Sequence, residues 1–356
     1  MNITLFKPKQ LRAEHLEAWS SIQQAEPMLE SPFFRPEFTL AVAAVRPDVE
    51  VAVIGDPDSP VAFFPFQRSG RAGRPVGGKL SDYQGVIAAR GAAWDAESMV
   101  RGCGLSVWDF DHLLAAQEQF RGFHRFTDAS PYLELSDGFE AYRATLRKSG
   151  VDELNATLRK GRKLQREVGP VRLEVRSTDA AVLKRLIEWK SAQYRRTRVT
   201  DVFAHRWTAE VVERILAHQS ESFAGALSVL YAGDEIVAAH MGMLSHGVLH
   251  WWFPSYDTRF GQYSPGRLML AELARAAQAH GIRRIDLGRG AEDYKARSMS
   301  GSIPVAVGSV DLRPLARRVR AGWWVARERL KKTPLRSIAR GPARLLYRAT
   351  SWLAFR

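Results

Sequence analysis

Between Val248 and Leu287 the sequence changes character three times, and the order of those changes restricts the fold more than any other stretch. The run Val248–Phe253, with Trp251, Trp252 and Phe253, reads as a buried strand. A loop follows and ends in Tyr263-Ser264-Pro265-Gly266. A helix is expected from about Pro265 to His280, with proline in its first turn and Gly281 just past its end. Ile282–Leu287 then reads as a short strand. The next residues, Gly288 to Lys295, are polar, basic and aromatic together. Strand, loop, helix and strand in this order bring a helix start to the end of a strand. The first N–H groups of a helix have no partner of their own, and the helix dipole favours negative charge there. Such a start is an anion cradle.

The flanking sequence extends the pattern. Ala180–Arg195 and Trp207–His218 have helical apolar spacing. Ala226–Ala232 and Ile236–Leu244 are apolar runs joined by Gly233-Asp234-Glu235, and His246-Gly247 makes a second turn. Ile303–Leu312 is a further strand. The earlier half repeats this order weakly. Val49–Ile54 and Val61–Gln67 form a hairpin, Tyr83–Ala88 is the candidate third strand, Glu97–Arg101 lies in a helix and Leu105–Phe110 is a strand. Between the halves, Gly138–Val168 reads as a helix, a break near Ser149-Gly150 and a second helix. Its Arg159, Lys160, Arg162 and Lys163 are either a solvated face or a contact for an anionic substrate.

At 356 residues the chain has room for about two domains. Its single cysteine, Cys103, excludes an internal disulfide and suits a reducing cytoplasm. No Cys pair occurs, so no metal is expected, and Gly-x-Ser-x-Gly is absent. The first residues lack the apolar run of a signal peptide, and no apolar run is long enough to span a bilayer. The expected location is the cytoplasm. Of the net charge of +14, all but +2 falls between Leu312 and Arg356, where thirteen Lys or Arg meet one acid, Glu328. An anionic partner therefore belongs to the tail rather than the body.

The Y-S-P-G helix start followed by D-L-G-R-G-x-E-x-Y-K resembles the GNAT-type acyltransferases of bacterial cellulose and exopolysaccharide synthesis, the BcsL/CelD group. These are similar in turn to the Fem peptidyltransferases, which carry two GNAT-like halves. Upstream the resemblance includes Ser31-Pro32-Phe33-Phe34, Ser81-Asp82-Tyr83-Gln84-Gly85 and Ser130-Pro131-Tyr132, and it covers about residues 15 to 310. It implies an α/β fold of tandem GNAT-like domains, with a mixed, mostly antiparallel sheet, a splayed strand pair and helices on both faces. The expected divisions are a degenerate N-terminal GNAT-like domain (1–137), a helical connector (138–169), a C-terminal acyltransferase domain (170–312) and a basic amphipathic helical tail (313–356).

The resemblance also implies a chemistry. Acyl-CoA would be the co-substrate, its pyrophosphate seated by Gln262, Tyr263, Ser264, Gly266 and Arg267. Gln262 stands where the usual Q/R-x-x-G-x-G/A loop has its first residue, but the glycine spacing after it differs. Direct attack of an acceptor needs a proton acceptor, a proton donor for the thiolate and a stabiliser for the oxyanion. Asp286 or Glu292 is the candidate acceptor, Tyr294 the candidate donor, and Lys295 or Arg289 the oxyanion or acceptor contact. The plainer reading makes this a solvated loop with Asp286 capping a turn. Tyr83 and His240 are either acceptor-groove or structural residues, and Trp252 joins them as a candidate substrate contact. The tail has tryptophan and rows of arginine at helical spacing, which suits an anionic membrane surface, packing on the body, or nucleic acid. The acceptor expected from the resemblance is a sugar or lipid-linked precursor. A Fem-like use of aminoacyl-tRNA and a non-catalytic assembly role are the alternatives.

Overall fold

The computed structural model describes residues 1–290, 292–317 and 319. The rest of the expected tail lies outside the described residues. The first half contains β1 (Ile3–Phe6), α1 (Ala13–Ala25), α2 (Pro36–Ala43), β2 (Val49–Asp56), β3 (Ser59–Ser69), β4 (Ala72–Arg74), β5 (Ile87–Ala88), α3 (Ala96–Gly102), β6 (Val107–Leu114) and β7 (His124–Glu134). Two helices connect the halves, α4 (Gly138–Lys148) and α5 (Glu153–Glu167), broken at Ser149-Gly150 as the sequence suggests. The second half contains β8 (Val171–Ser177), α6 (Ala180–Thr197), α7 (Arg206–Ala217), β9 (Ala224–Ala232), β10 (Glu235–Ser245), β11 (Val248–Tyr256), α8 (Pro265–Ala276), β12 (Arg284–Asp286), α9 (Asp293–Ser298) and β13 (Gly301–Asp311).

Twelve of these strands run side by side in the order β1-β2-β3-β4-β6-β13-β7-β12-β11-β10-β9-β8, with β5 paired to β3. The order is a palindrome by type. From either edge one meets a leading strand, a three-strand meander, the strand after the third helix, and one last strand. That last strand is exchanged: β13 of the second half lies against β6, and β7 of the first half lies against β12. β7 and β13 themselves pair antiparallel from Gly301↔Tyr132 to Gly308↔His124. The halves are thus two copies of one element order closed into a single sheet. The third strand of the first meander is β4, not Tyr83–Ala88, of which only Ile87–Ala88 is strand.

The strands of the second meander are almost continuously apolar because helices cover both faces. One face packs α1, α2, α6 and α7 through Trp19, Phe38, Leu186 and Val211. The other packs α3 in the first half, and α4, α5 and α8 in the second, through Met99, Leu146, Leu164 and Leu268. The β10–β11 turn is possible because His246 and Gly247 both take positive φ, 46° and 78°, which the right-handed strand twist requires of a two-residue hairpin. Gly161 on α5 permits a close crossing, since a Cβ there would stand 2.7 Å from Leu268 Cδ1 of α8. That crossing lays α5 beside the start of α8.

Candidate active site at the divergence of β11 and β12

β11 and β12 run parallel and pair over three residues only: Val248↔Arg284, Leu249↔Ile285 and His250↔Asp286. β12 then ends, and Leu287 N–H turns to Pro131 O beside β7. β11 continues along β10 to Tyr256. The sheet therefore opens after His250, and side chains from both faces and both halves converge on the opening.

On the α8 side stands the helix start. Ser264 takes the left-handed conformation (φ 54°), and its carbonyl accepts from Arg267 N–H at 3.0 Å and Leu268 N–H at 3.1 Å. That leaves Gly266 N–H without a helical acceptor. A Cβ on Gly266 would meet only the Tyr256 ring, at 3.6 Å. Two cations converge on Ser264 Oγ, Lys160 Nζ at 2.8 Å and Arg267 Nη2 at 3.0 Å. Arg267 is also paired with Glu153. Tyr263 OH donates to Glu167 Oε2 at 2.6 Å, and Gln262 is exposed. The residues fit a phosphate group in charge and in donor chemistry, with α5 supplying Lys160 as well as the acids that neutralise part of the site. Of the four connector cations named from the sequence, Lys160 is the one bonded to this helix start.

At the opening itself, the Gly288–Lys295 segment folds back on its own backbone. Lys295, buried, donates to Gly288 O at 3.2 Å and Arg289 O at 3.3 Å, and Glu292 Oε2 lies 3.3 Å from it. Arg289 Nη1 donates to Asp111 O at 2.6 Å, which ties the segment to β6. Burial holds the Tyr294 hydroxyl in its protonated form, with the Glu292 charge adding to the effect. His240 and Trp251 stack at 4.1 Å with their planes 15° apart. His240 is fully buried, and burial pushes it down to about 3, so its ring is neutral.

Asp286 is fully buried, with Arg284 Nε at 3.2 Å and neither carboxylate oxygen in a hydrogen bond among the described residues. Burial raises its carboxyl, and the Arg284 charge only partly offsets this. It lies inside the sheet rather than capping a turn. Tyr83 and Trp252 also sit in the core. Tyr83 OH donates to Ser130 Oγ at 3.0 Å and Trp252 Nε1 to Leu80 O at 2.9 Å, so the polar atom of each already has a partner within the protein.

Several residues at the opening are not among the candidate site residues read from the sequence, although Asp82 lies within the Ser81-Asp82-Tyr83-Gln84-Gly85 stretch. Asp82 reaches across from the first half and accepts from His250 Nε2 at 2.8 Å, while its other oxygen lies 3.8 Å from His112 Nε2. His112 Nδ1 is 2.9 Å from Asp111 Oδ1. Burial alone would raise the Asp82 carboxyl. The His250 hydrogen bond, with the charges of His250, His112 and Lys295, outweighs it and holds Asp82 below the usual carboxylate range. Gly288 packs against this pair, because a Cβ there would stand 2.8 Å from Asp82 Oδ2. From α6, Lys190 Nζ donates to Pro254 O at 2.9 Å, and Tyr194 lies beside it with the ammonium 5.2 Å from its ring. A signal for Lys190 exists in the sequence: it occupies the next position of the apolar stripe Val182, Leu183, Leu186, where packing alone calls for another apolar residue. The Asp82–His250 contact has no such signal, since 168 positions separate the partners. Among the described residues no group of His, Cys, Asp and Glu is arranged to hold a metal ion, and no helix is long and apolar enough to cross a membrane.

Residues 153–296, from α5 into α9, match the family model described as an acetyltransferase (GNAT) domain. No curated protein matches the chain in sequence. Among solved structures, FemX superposes with a TM-score of 0.57 at 9% identity, covering 90% of this chain and 100% of that one. The C-terminal domain of a putative lysylphosphatidylglycerol synthetase from Agrobacterium fabrum gives 0.54 at 12% identity, covering 90% and 97%. A conserved protein of unknown function from Bacteroides thetaiotaomicron gives 0.54 at 12%, covering 86% and 100%. At such identities the likeness is one of fold, and it extends over both halves. The domain match places the opening of β11 and β12 inside a GNAT acetyltransferase domain, and the protein is an acyltransferase of GNAT architecture.

Proposed function

We propose that the chain transfers an acyl group from a coenzyme A thioester to an amine or hydroxyl of an acceptor bound between the two halves. The observation that carries this reading is the opening after His250 and Asp286, with the phosphate-competent start of α8 on one side and titratable groups of both halves on the other. In this reading the carrier phosphates lie on Gly266 N–H, Lys160 and Arg267. The thioester passes through the opening, and the acceptor attacks it directly, so no nucleophilic residue is required. Glu292 and Asp82 are the carboxylates within reach of the acceptor proton, and Tyr294, kept protonated by burial, is the donor for the departing thiolate. A role in cellulose or exopolysaccharide synthesis, with a sugar or lipid-linked acceptor, rests on the order of the sequence motifs. Attachment to an anionic membrane rests on the charge of residues 312–356.

The test is a thermal-shift panel of acyl-CoAs on the wild type and on Gly266→Trp. Ligand at about 100 times Kd adds about 2.7 kcal/mol to the folded state. The wild type is expected to gain in melting temperature and the tryptophan variant to lose that gain. A wild type that ignores every acyl-CoA removes the thioester donor.

A second reading keeps the fold and takes an aminoacyl group from transfer RNA. The pairing of Lys160 with Ser264 and of Arg267 with Glu153 supports it, because part of the phosphate seat is already occupied by the chain itself. Binding of tRNA that weakens steeply with salt, without any response to acyl-CoA, distinguishes it.

A further inference from the structure

We propose that the Lys190 ammonium of α6 is the donor that stabilises the oxyanion formed during transfer, a role no sequence motif assigns to it. The inference rests on the thioester reading above and names the group that would hold its carbonyl oxygen.

Acyl transfer by direct attack places a full negative charge on the former carbonyl oxygen. A site that accelerates it needs donors aimed at that oxygen and free to bond it. The candidates at the opening differ in how many N–H groups they have left. Lys295 has three N–H groups and three neighbours to satisfy: Gly288 O, Arg289 O and Glu292. Arg289 has donors to spare, but its Nη1 is bonded to the Asp111 carbonyl and its Nε lies 3.9 Å from Asp128, which aims the guanidinium at β6 and β7 rather than at β11. The backbone of β11 is short of a donor as well, because residue 254, just past the divergence, is a proline and has no N–H. Lys190 Nζ stands at that position, 2.9 Å from Pro254 O. Among the described residues that carbonyl is its one hydrogen-bond acceptor, so two N–H groups remain.

Its setting is costly unless it is used. Lys190 is 8% exposed, on a stripe otherwise made of Val182, Leu183 and Leu186. A buried ammonium loses much of its hydration, and unpaired N–H groups add to that cost. The groups that face it are few. Glu292 favours its charge, Lys295 opposes it, the buried neutral ring of His240 on β10 is within electrostatic range, and the ring of Tyr194 lies against it. Burial brings the amine down to about 8, so it is still protonated at neutral pH and loses its proton just above.

In the step itself, the acceptor lone pair forms the new bond to the carbonyl carbon and the C=O π pair moves onto oxygen, where the two free N–H groups of Lys190 meet it. On collapse the pair returns, the C–S bond breaks with its electrons on sulfur, and the thiolate takes up a proton in exchange for the one the acceptor has lost. Lys190 keeps its own proton throughout.

The experiment compares acetyl-CoA with S-ethyl-CoA, which lacks only the carbonyl oxygen, by calorimetric titration of the full chain. The wild type should prefer acetyl-CoA by about tenfold, the scale of one hydrogen bond to a charged group. That preference should fade as pH rises through about 8. Lys190→Met should erase it while leaving S-ethyl-CoA affinity unchanged. A preference that survives in Lys190→Met, or a wild type that shows none, overturns the assignment. If the methionine variant fails to fold, the wild-type pH profile decides, and a preference that is flat to pH 9 overturns it. A wild type that binds neither compound removes the thioester donor, and this role with it.

Discussion

At Asp82 a carboxylate from one half of the chain meets an imidazole from the other, and the pair is the most direct electrostatic link between them at the opening. The Asp82 side chain keeps 25% of its surface exposed, whereas His250 is fully buried. Because the folded state holds Asp82 below its ordinary value near 3.9, this carboxylate contributes stability that is present above that value and is lost as pH falls through the folded one. Asp82→Asn is therefore expected to cost about 1.5–3 kcal/mol at pH 7, the range for a hydrogen bond to a charged group. The gap between variant and wild type should begin to narrow as pH falls below about 4 and close only below the lowered folded value. Urea midpoints at the two pH values measure it, and a gap that does not change with pH would mean that packing around Gly288, not charge, is what the substitution disturbs. Asp286 is the counter-example at the same scale. Its position at the end of a predicted strand made it legible as a candidate base, yet the strand pairing turns it inward, and the exchanged neighbour β7 helps enclose it.

Among the elements, those whose periodicity is strong were legible. α6, α7, β9 and β10 lie within about two residues of where apolar spacing puts them, and β11 starts where expected and runs three residues further, because each buries one continuous stripe or run. β4 was missed because Ala72-Gly73-Arg74 has no apolar run. It is a strand by virtue of its partners β3 and β6. α1 escaped notice for a related reason: its buried stripe is His15, Trp19 and Gln23, two of which are polar and bond to the backbone carbonyls of Pro57 and Leu29. The connector shows what composition hides. Its charges suggest a solvated face, but Gly161 lets α5 cross α8 closely enough to deliver Lys160 to Ser264. Replacing Gly161 by leucine gains about 1 kcal/mol of helix propensity. Overpacking against Leu268 costs about 1–3 kcal/mol. The net expectation is a less stable protein with weaker acyl-CoA binding, read together by thermal shift. A more stable variant with unchanged binding would mean that the crossing can loosen without moving Lys160.

For the molecule as a whole, the exchange of β7 and β13 decides how the halves depend on each other. Neither half can complete its sheet alone, since β6 needs β13 on its flank and β12 needs β7. A polypeptide ending at residue 137 would keep β7 but lack the strand that lies between it and β6. Expressed separately, residues 1–137 and 138–356 should each lack the cooperative melt of the whole chain, and should regain it on co-expression. Independent two-state melting of either piece would show that the exchange is dispensable. The same exchange brings Asp82 and His112 to an opening built by β11 and β12, so the site belongs to the whole sheet rather than to the matched domain. The central claim is that this opening holds an acylated, phosphorylated carrier against the start of α8. A crystal structure of the full chain with acetyl-CoA tests it most directly. The account predicts the pyrophosphate on Gly266 N–H beside Lys160 and the acetyl carbonyl at the level of Pro254. A carrier bound elsewhere, with the space after His250 and Asp286 filled by the protein's own side chains, would contradict it.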